Sequence, residues 1–394
     1  MTSQSRRVAA VQPPVIPIIA RWIAETPGTI SLGQGIVSYG PPAAALDAAR
    51  AFGGEPGDHR YGPVEGLPGL VRLIEAKLAA ENGIVVAPSS RVVVTAGGNL
   101  AFMNAILAIT DQDDEVILPV PYYFNHEMAI VLAGARPVAV PTTADHALDV
   151  DAIARAITPR TRAIVTVSPN NPTGAVYGED SLRAVNALCR DRGLFHINDE
   201  AYEYFIYGEA RHFSPASIPG AAAHTISLYS LSKAYGMASW RMGYMVIPDA
   251  LWDAINKVQD TILICAPAVS QHAAMAALAT GAAYARGRLD GLDRTRRHVA
   301  QALGDPSVPC DVPMSPGAFY FFMRVHTDAS ALDLTEQLIR RHRVAVIPGS
   351  AFGAVNGCYL RMSYGALDDR TVAEGVGRLV EGLKALATST ASNR

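Results

Sequence analysis

From residue 91 to 262 the chain repeats one alternation, in which short runs rich in valine and isoleucine are each followed by a longer amphipathic stretch. Strands buried on both faces need continuous apolar runs of this kind, and the amphipathic stretches supply the crossover helices that cover those faces. The pattern predicts an α/β unit built on a mostly parallel, seven-stranded sheet. Strands are expected at 92–95, 115–119, 137–140, 163–167, 194–198, 225–229 and 243–247, with helices near 99–109, 125–133, 150–157, 180–192 and 248–262. After a charged helical stretch at 286–303, runs at 319–325, 344–347 and 359–363 read as strands of a separate, smaller α+β unit. The expected division is an N-terminal arm with part of the small domain at 1–49, a large domain at 50–290 and a small C-terminal domain at 291–394. The opening, with Pro13, Pro14 and Pro17, and the turn region 33–40 suit an arm that wraps a neighbour or completes the small domain, and 388–394 reads as a frayed tail.

Several function classes are set aside by composition. Lys and Arg number 33 against 36 Asp and Glu, a formal charge of −3, so there is no basic field to hold nucleic acid or an anionic membrane. The apolar run after Arg6 and Arg7 is broken by Gln12, Pro13 and Pro14, and the stretch 273–285 is too short and alanine-rich to span a bilayer. Cys189, Cys265, Cys310 and Cys358 form no CxxC pair and no Cys/His cluster at zinc spacing, so neither a metal nor a disulfide framework is expected. A cytoplasmic protein is expected.

The most informative segment is Ser230-Leu231-Ser232-Lys233-Ala234-Tyr235-Gly236, just beyond an expected strand. Ligand sites in open α/β sheets lie outside the carboxyl ends of the strands. A lysine there can condense with an aldehyde once burial removes its proton, although a lone loop lysine is usually a solvated charge. Arg241, eight residues on, is by itself an ordinary ion-pair former. Thr95-Ala96-Gly97-Gly98-Asn99 precedes a helix, where glycines let backbone N–H groups approach a phosphate, or simply make a turn. Asn171, in Ser168-Pro169-Asn170-Asn171-Pro172-Thr173-Gly174, is held extended by the proline after it. Asp199-Glu200-Ala201-Tyr202 ends a strand with a carboxylate that either meets a cation or caps a helix.

Together, Asn171-Pro172-Thr173-Gly174, Asp199-x-x-Tyr202 and Ser230-x-x-Lys233 with Arg241 resemble, in order and spacing, the pyridoxal-phosphate-dependent aminotransferases of fold type I, class I/II, over nearly the whole chain. The resemblance implies that Lys233 carries pyridoxal 5'-phosphate covalently, that Asp199 pairs with its pyridine nitrogen, and that Asn171 and Tyr202 bond its ring hydroxyl oxygen. It also implies that Gly98, Asn99, Ser230 and Arg241 hold the phosphate, with Gly97 and Ser232 beside them. Tyr123 would stack on the ring with His126 behind Asp199, unless both are core residues. Tyr61, in Arg60-Tyr61-Gly62-Pro63, matches a tyrosine that reaches a phosphate across a homodimer interface, or packs beside a turn. Arg361, in Leu360-Arg361-Met362-Ser363-Tyr364-Gly365, matches the arginine that grips the substrate α-carboxylate, a task suited to a bidentate guanidinium. Gly35 and Asn171 would help orient that carboxylate. Ser239 departs from the pattern, many relatives having glycine there, which bears on local backbone freedom.

An Asp beside a pyridine nitrogen keeps it protonated, and a freed Lys233 is the natural base for the proton on the substrate's Cα. The implied activity is ping-pong transfer of an amino group between an amino acid and a 2-oxo acid. Matches at 60–67, 122–125 and 257–271 are most similar to the branch acting on aromatic amino acids and methionine, with Ile16, Ile18, Ile36, Val37 and Tyr39 as apolar surface near the cleft. Aspartate aminotransferase is the alternative, followed by a fold type I lyase using the same Lys233 and Asp199. A non-catalytic cofactor-binding module of the kind fused to DNA-binding domains would need an added domain for which the chain has no room.

Overall fold

The computed structural model describes residues 4–86 and 88–391, with side chains to 385. Its strands, in chain order, are β1 (Ile30–Ser31), β2 (Ser90–Thr95), β3 (Glu115–Val120), β4 (Arg136–Pro141), β5 (Thr161–Val167), β6 (Phe195–Asp199), β7 (Thr225–Ser230), β8 (Gly243–Pro248), β9 (Cys310–Asp311), β10 (Tyr320–Val325), β11 (Val344–Ala345), β12 (Ile347–Pro348) and β13 (Cys358–Ser363). The seven-stranded sheet has the order β2-β8-β7-β6-β5-β3-β4. Strands β3 to β7 are parallel to their neighbours, whereas β8 is antiparallel to both β7 and β2. Valines and isoleucines of β2, β3, β5, β6, β7 and β8 are buried on both faces, the physical reason their sequence reads as apolar runs.

The reversal at β8 follows from its connection. A parallel return needs a crossover with a full helix, but residues 231–242 form only the one-turn helix Leu231–Ala234 and a turn before β8 starts. Every other strand of this sheet points its carboxyl end to one edge, and the β7–β8 link adds its own residues there.

The second layer is a four-stranded antiparallel sheet, β12-β13-β10-β9, and β1 pairs with β11 in a separate parallel pair. The strand expected at 344–347 is therefore two, broken at Val346, with its halves bonded to different partners. An apolar run records burial, not which sheet takes the hydrogen bonds. The N-terminal helix Val15–Glu25 buries Val15, Ile19 and Trp22 in one cluster with Phe322 of β10, Ala345 of β11, Ile339 and Phe352. The final helix, Asp369–Ala391, runs through the region expected to fray, and 392–394 lie outside the described residues. Among the described residues no helix is long and apolar enough to cross a membrane.

Candidate active site

A cavity of about 310 Å³ lies at the shared strand-end edge of the large sheet and against the small one. Gly98 and Asn99 reach it from the end of β2, Tyr123 from beyond β3, Asn171 from beyond β5, and Asp199 and Tyr202 from the end of β6. The β7–β8 link brings Ser230, Ser232, Lys233 and Arg241. Gly35 enters from the loop after β1, and Arg361 from the middle of β13, where it pairs with Phe322 and Ile347.

Each of these groups has a physical anchor. Asp199 accepts a hydrogen bond from Ala201 N–H at 3.0 Å, and its other oxygen lies 3.1 Å from His126 Nε2. His126 stacks on Phe102 at 4.0 Å and meets the Tyr123 ring edge-on, so it backs the carboxylate as expected. The Tyr123 hydroxyl accepts from Asn125 Nδ2 at 2.9 Å. Ser230 caps the one-turn helix by accepting from Ser232 N–H at 3.2 Å. Arg241 bonds the Ala238 carbonyl at 2.8 Å and forms no ion pair with a described carboxylate. Gly97, with φ 85°, stands behind it, and a Cβ there would sit 2.5 Å from the guanidinium. That position must be glycine for Arg241 to lie against the start of the helix Gly98–Ile109. This helix presents unpaired N–H groups at its N-terminus, and with the arginine it makes an anion cradle.

Lys233 donates to the Gly35 carbonyl. Burial, helped by the nearby Arg361 and Arg241 cations and opposed by Asp199, lowers its pKa to about 8. A sizeable share of the amine is then neutral and nucleophilic near physiological pH. Arg361 is 3% exposed; it donates to Asn171 Oδ1 at 2.9 Å and to the Gly33 carbonyl at 2.6 Å, while its buried Nε finds no acceptor among the described residues. Its guanidinium lies between the rings of Tyr320 and Phe352, at 4.7 and 5.0 Å.

Two of the residues assigned from sequence to the cofactor or the substrate carboxylate do not line the cavity. Gly97 contributes only clearance, and Tyr61 is 81% exposed, in a separate surface hollow with Phe52, Leu263 and Cys265. Of the apolar residues expected at the cleft, Ile16 and Ile36 line it. Ile18 packs on the small layer and Val37 is core, while the Tyr39 hydroxyl donates to the Lys233 carbonyl at 3.0 Å. A loop's apolar composition does not tell which way each side chain points. Ser239 is not strained, since the left-handed positions here are Gly236 and Arg241. Gln34, Phe124 and Tyr320 also line the cavity. Tyr320 was hidden in an apolar strand pattern, where its hydroxyl gives no periodic signal. Outside the cavity Glu200, Glu203 and His212 converge as metal ligands might, but Lys77 Nζ already supplies a cation 2.5 Å from Glu203.

Comparison with known proteins gives a consistent result. A family profile described as "Aminotransferase class I and II" matches residues 27–379. The aromatic aminotransferase ISS1 of Arabidopsis thaliana is 34% identical over 393 residues, 97% of this chain and 96% of the relative. A probable aspartate/prephenate aminotransferase of Aquifex aeolicus is 36% identical over 338 residues, 83% of this chain and 84% of the relative. Among solved structures, the aspartate aminotransferase from Thermus thermophilus with maleate superimposes with a TM-score of 0.89 at 31% identity, covering 97% of this chain and 100% of the other.

Proposed function

This chain belongs to the class I and II aminotransferases, and on that premise we propose that the amino acid it works on carries an aromatic or methionine side chain. It is a pyridoxal-phosphate-dependent transaminase of fold type I, exchanging an amino group between an amino acid and a 2-oxo acid. We assign the cofactor and its lysine to 50–290, and the substrate-gripping sheet to 291–394 with part of 1–49.

The cavity residues fit the cofactor. A phosphate matches the Gly98 helix start, Ser230 and the unpaired Arg241, a pyridine nitrogen matches Asp199, and an aldehyde carbon matches the amine of Lys233. When bound, pyridoxal phosphate supplies an aldehyde that condenses with amines and a ring that takes up the electrons left when a Cα proton departs. Asp199, held by His126, would keep a pyridine nitrogen beside it protonated. Arg361 binds the substrate α-carboxylate, with Asn171 and the Gly35 segment fixing its orientation. Lys233, with its lowered pKa, would be the base that holds and moves the proton of the substrate's Cα. Tyr202 and Asn171 would hold the ring oxygen, and Tyr123 would stand against the ring.

The observation carrying the substrate proposal is the charge inventory of the wall. Its cations are Lys233, Arg241 and Arg361, each with a task above, and the remaining surface includes Ile16, Ile36 and Phe124. Among the described residues of one chain a distal carboxylate would meet no further cation. Burying an aromatic side chain gains about 2 kcal/mol, and an unpaired carboxylate costs at least as much. Phenylalanine is therefore expected to exceed aspartate in half-reaction kcat/KM by tenfold or more, about 1.4 kcal/mol, while Arg361→Ala lowers both alike. Aspartate ahead by tenfold would replace this reading with aspartate aminotransferase. Ammonia release with the keto acid would instead mark a lyase.

Tyr61, together with Ile262 at 49% and Ile264 at 36% exposure, supports a homodimer in which each Tyr61 reaches the partner's phosphate cradle. Light scattering at assay concentration is expected to give twice the chain mass; a fully active monomer would refute the shared site. The free thiols of Cys189, Cys265, Cys310 and Cys358 support a cytoplasmic location.

A further inference from the structure

The hydroxyls of Tyr202 and Tyr320 lie 2.7 Å apart beside the cavity. Tyr320 is fully buried on β10, its ring face lies 4.7 Å from the Arg361 guanidinium, and its oxygen would sit 2.7 Å from a Cβ at Gly35. Two hydroxyls in contact bring two protons, of which one lies between them. Either hydroxyl could be the donor of this contact and both tyrosines line the cavity, but a Tyr202 proton committed to the cofactor's ring oxygen cannot also lie between them. If Tyr320 donates, its proton is satisfied and that of Tyr202 is free to enter the cavity. An O–H that accepts a hydrogen bond also becomes a stronger donor.

We propose that Tyr320 is a positioning residue with two separable tasks: its hydroxyl donates to Tyr202 and strengthens that group as a donor to the cofactor's ring oxygen, and its ring holds the Arg361 guanidinium in place for the substrate carboxylate. The first task rests on the reading of Tyr202 given above. A stronger donor favours the anionic ring oxygen, and so lowers the pH at which the bound cofactor changes protonation state. The titratable and charged groups facing the tyrosine pair are Arg361, Tyr123, Asp199 and Lys233, and the variants below leave all four intact.

Tyr320→Phe removes one oxygen and keeps the ring. In the cofactor-loaded protein, the pH midpoint of the cofactor's absorbance change is expected to rise by roughly half a unit, less than for Tyr202→Phe, which removes the direct donor. KM for the amino acid should stay within about twofold, because the ring still supports Arg361. The Tyr202→Phe/Tyr320→Phe double variant should titrate like Tyr202→Phe alone. Tyr320→Leu, which also removes the ring, should raise KM about tenfold.

If Tyr202→Phe moves the midpoint and Tyr320→Phe does not, the relay is wrong while the reading of Tyr202 stands. If neither moves it, both fall. Additive shifts in the double variant would also overturn the relay, and an unchanged KM in Tyr320→Leu would overturn the task of the ring. Should Tyr320→Leu fail to fold, Tyr320→Phe, checked by its melting temperature, still decides the relay.

Discussion

Replacing Lys233 with alanine is expected to lower turnover by about 10⁴-fold or more while leaving part of the cofactor affinity in place. The variant loses the covalent attachment and the base that moves the Cα proton, and a positioned base alone contributes about 10²–10⁴-fold. Burial and two neighbouring guanidiniums bring the pKa of this lysine to about 8, so the amine suits both tasks. Among the described residues no other amine lines the cavity. The Gly98 helix start, Arg241 and Asp199 stay where they are and retain a weakened grip on the cofactor. Equilibrium dialysis with the cofactor and single-turnover assays with phenylalanine separate the two effects. Turnover within a hundredfold of the unaltered protein would remove Lys233 from its assigned role.

Asp199→Asn is expected to keep the cofactor yet slow the half-reaction by about 10²–10³-fold, the usual scale for removing one preorganised electrostatic contact. An amide keeps an oxygen to accept from Ala201 N–H, so the turn that carries Tyr202 should hold. It carries no negative charge, however, and cannot keep a proton on a pyridine nitrogen. His126 Nε2, 3.1 Å from the other carboxylate oxygen, would then face the amide NH2 and no longer back an anion. Stopped-flow traces of the cofactor absorbance with saturating amino acid give the rate, and a melting curve checks the fold. A rate within fivefold of the unaltered protein would contradict the assignment.

The strands of the large sheet were legible because β2, β3, β5, β6, β7 and β8 are buried and mostly apolar, with polar residues such as His196, Asn198 and Ser227 among them. The direction of β8 was not, since burial is indifferent to strand polarity; only the brevity of the 231–242 link settles it. Lys233, Asp199 and Asn171 could be found because strand-end motifs are local in sequence. Tyr320 could not, because its partner Tyr202 is 118 residues away and no local pattern joins them. Tyr61 was visible only through likeness to relatives, for within one chain it touches nothing in the cavity. The fate of Ile18 and Val37 turned on side-chain direction in irregular segments, which hydropathy does not encode.

Arg361 sits on β13 of the small sheet, whereas the lysine, the aspartate and the anion cradle all sit on the large one. On the assignment proposed above, the catalytic chemistry and the grip on the substrate α-carboxylate are thus mounted on different plates of the molecule, joined at the cavity through contacts such as Arg361 with Asn171. On that assignment, drift at Ile16 and Ile36, which lie on the N-terminal segment rather than on the large sheet, can retune which side chains are admitted without disturbing the chemical centre. A chain built this way can change diet while keeping its engine.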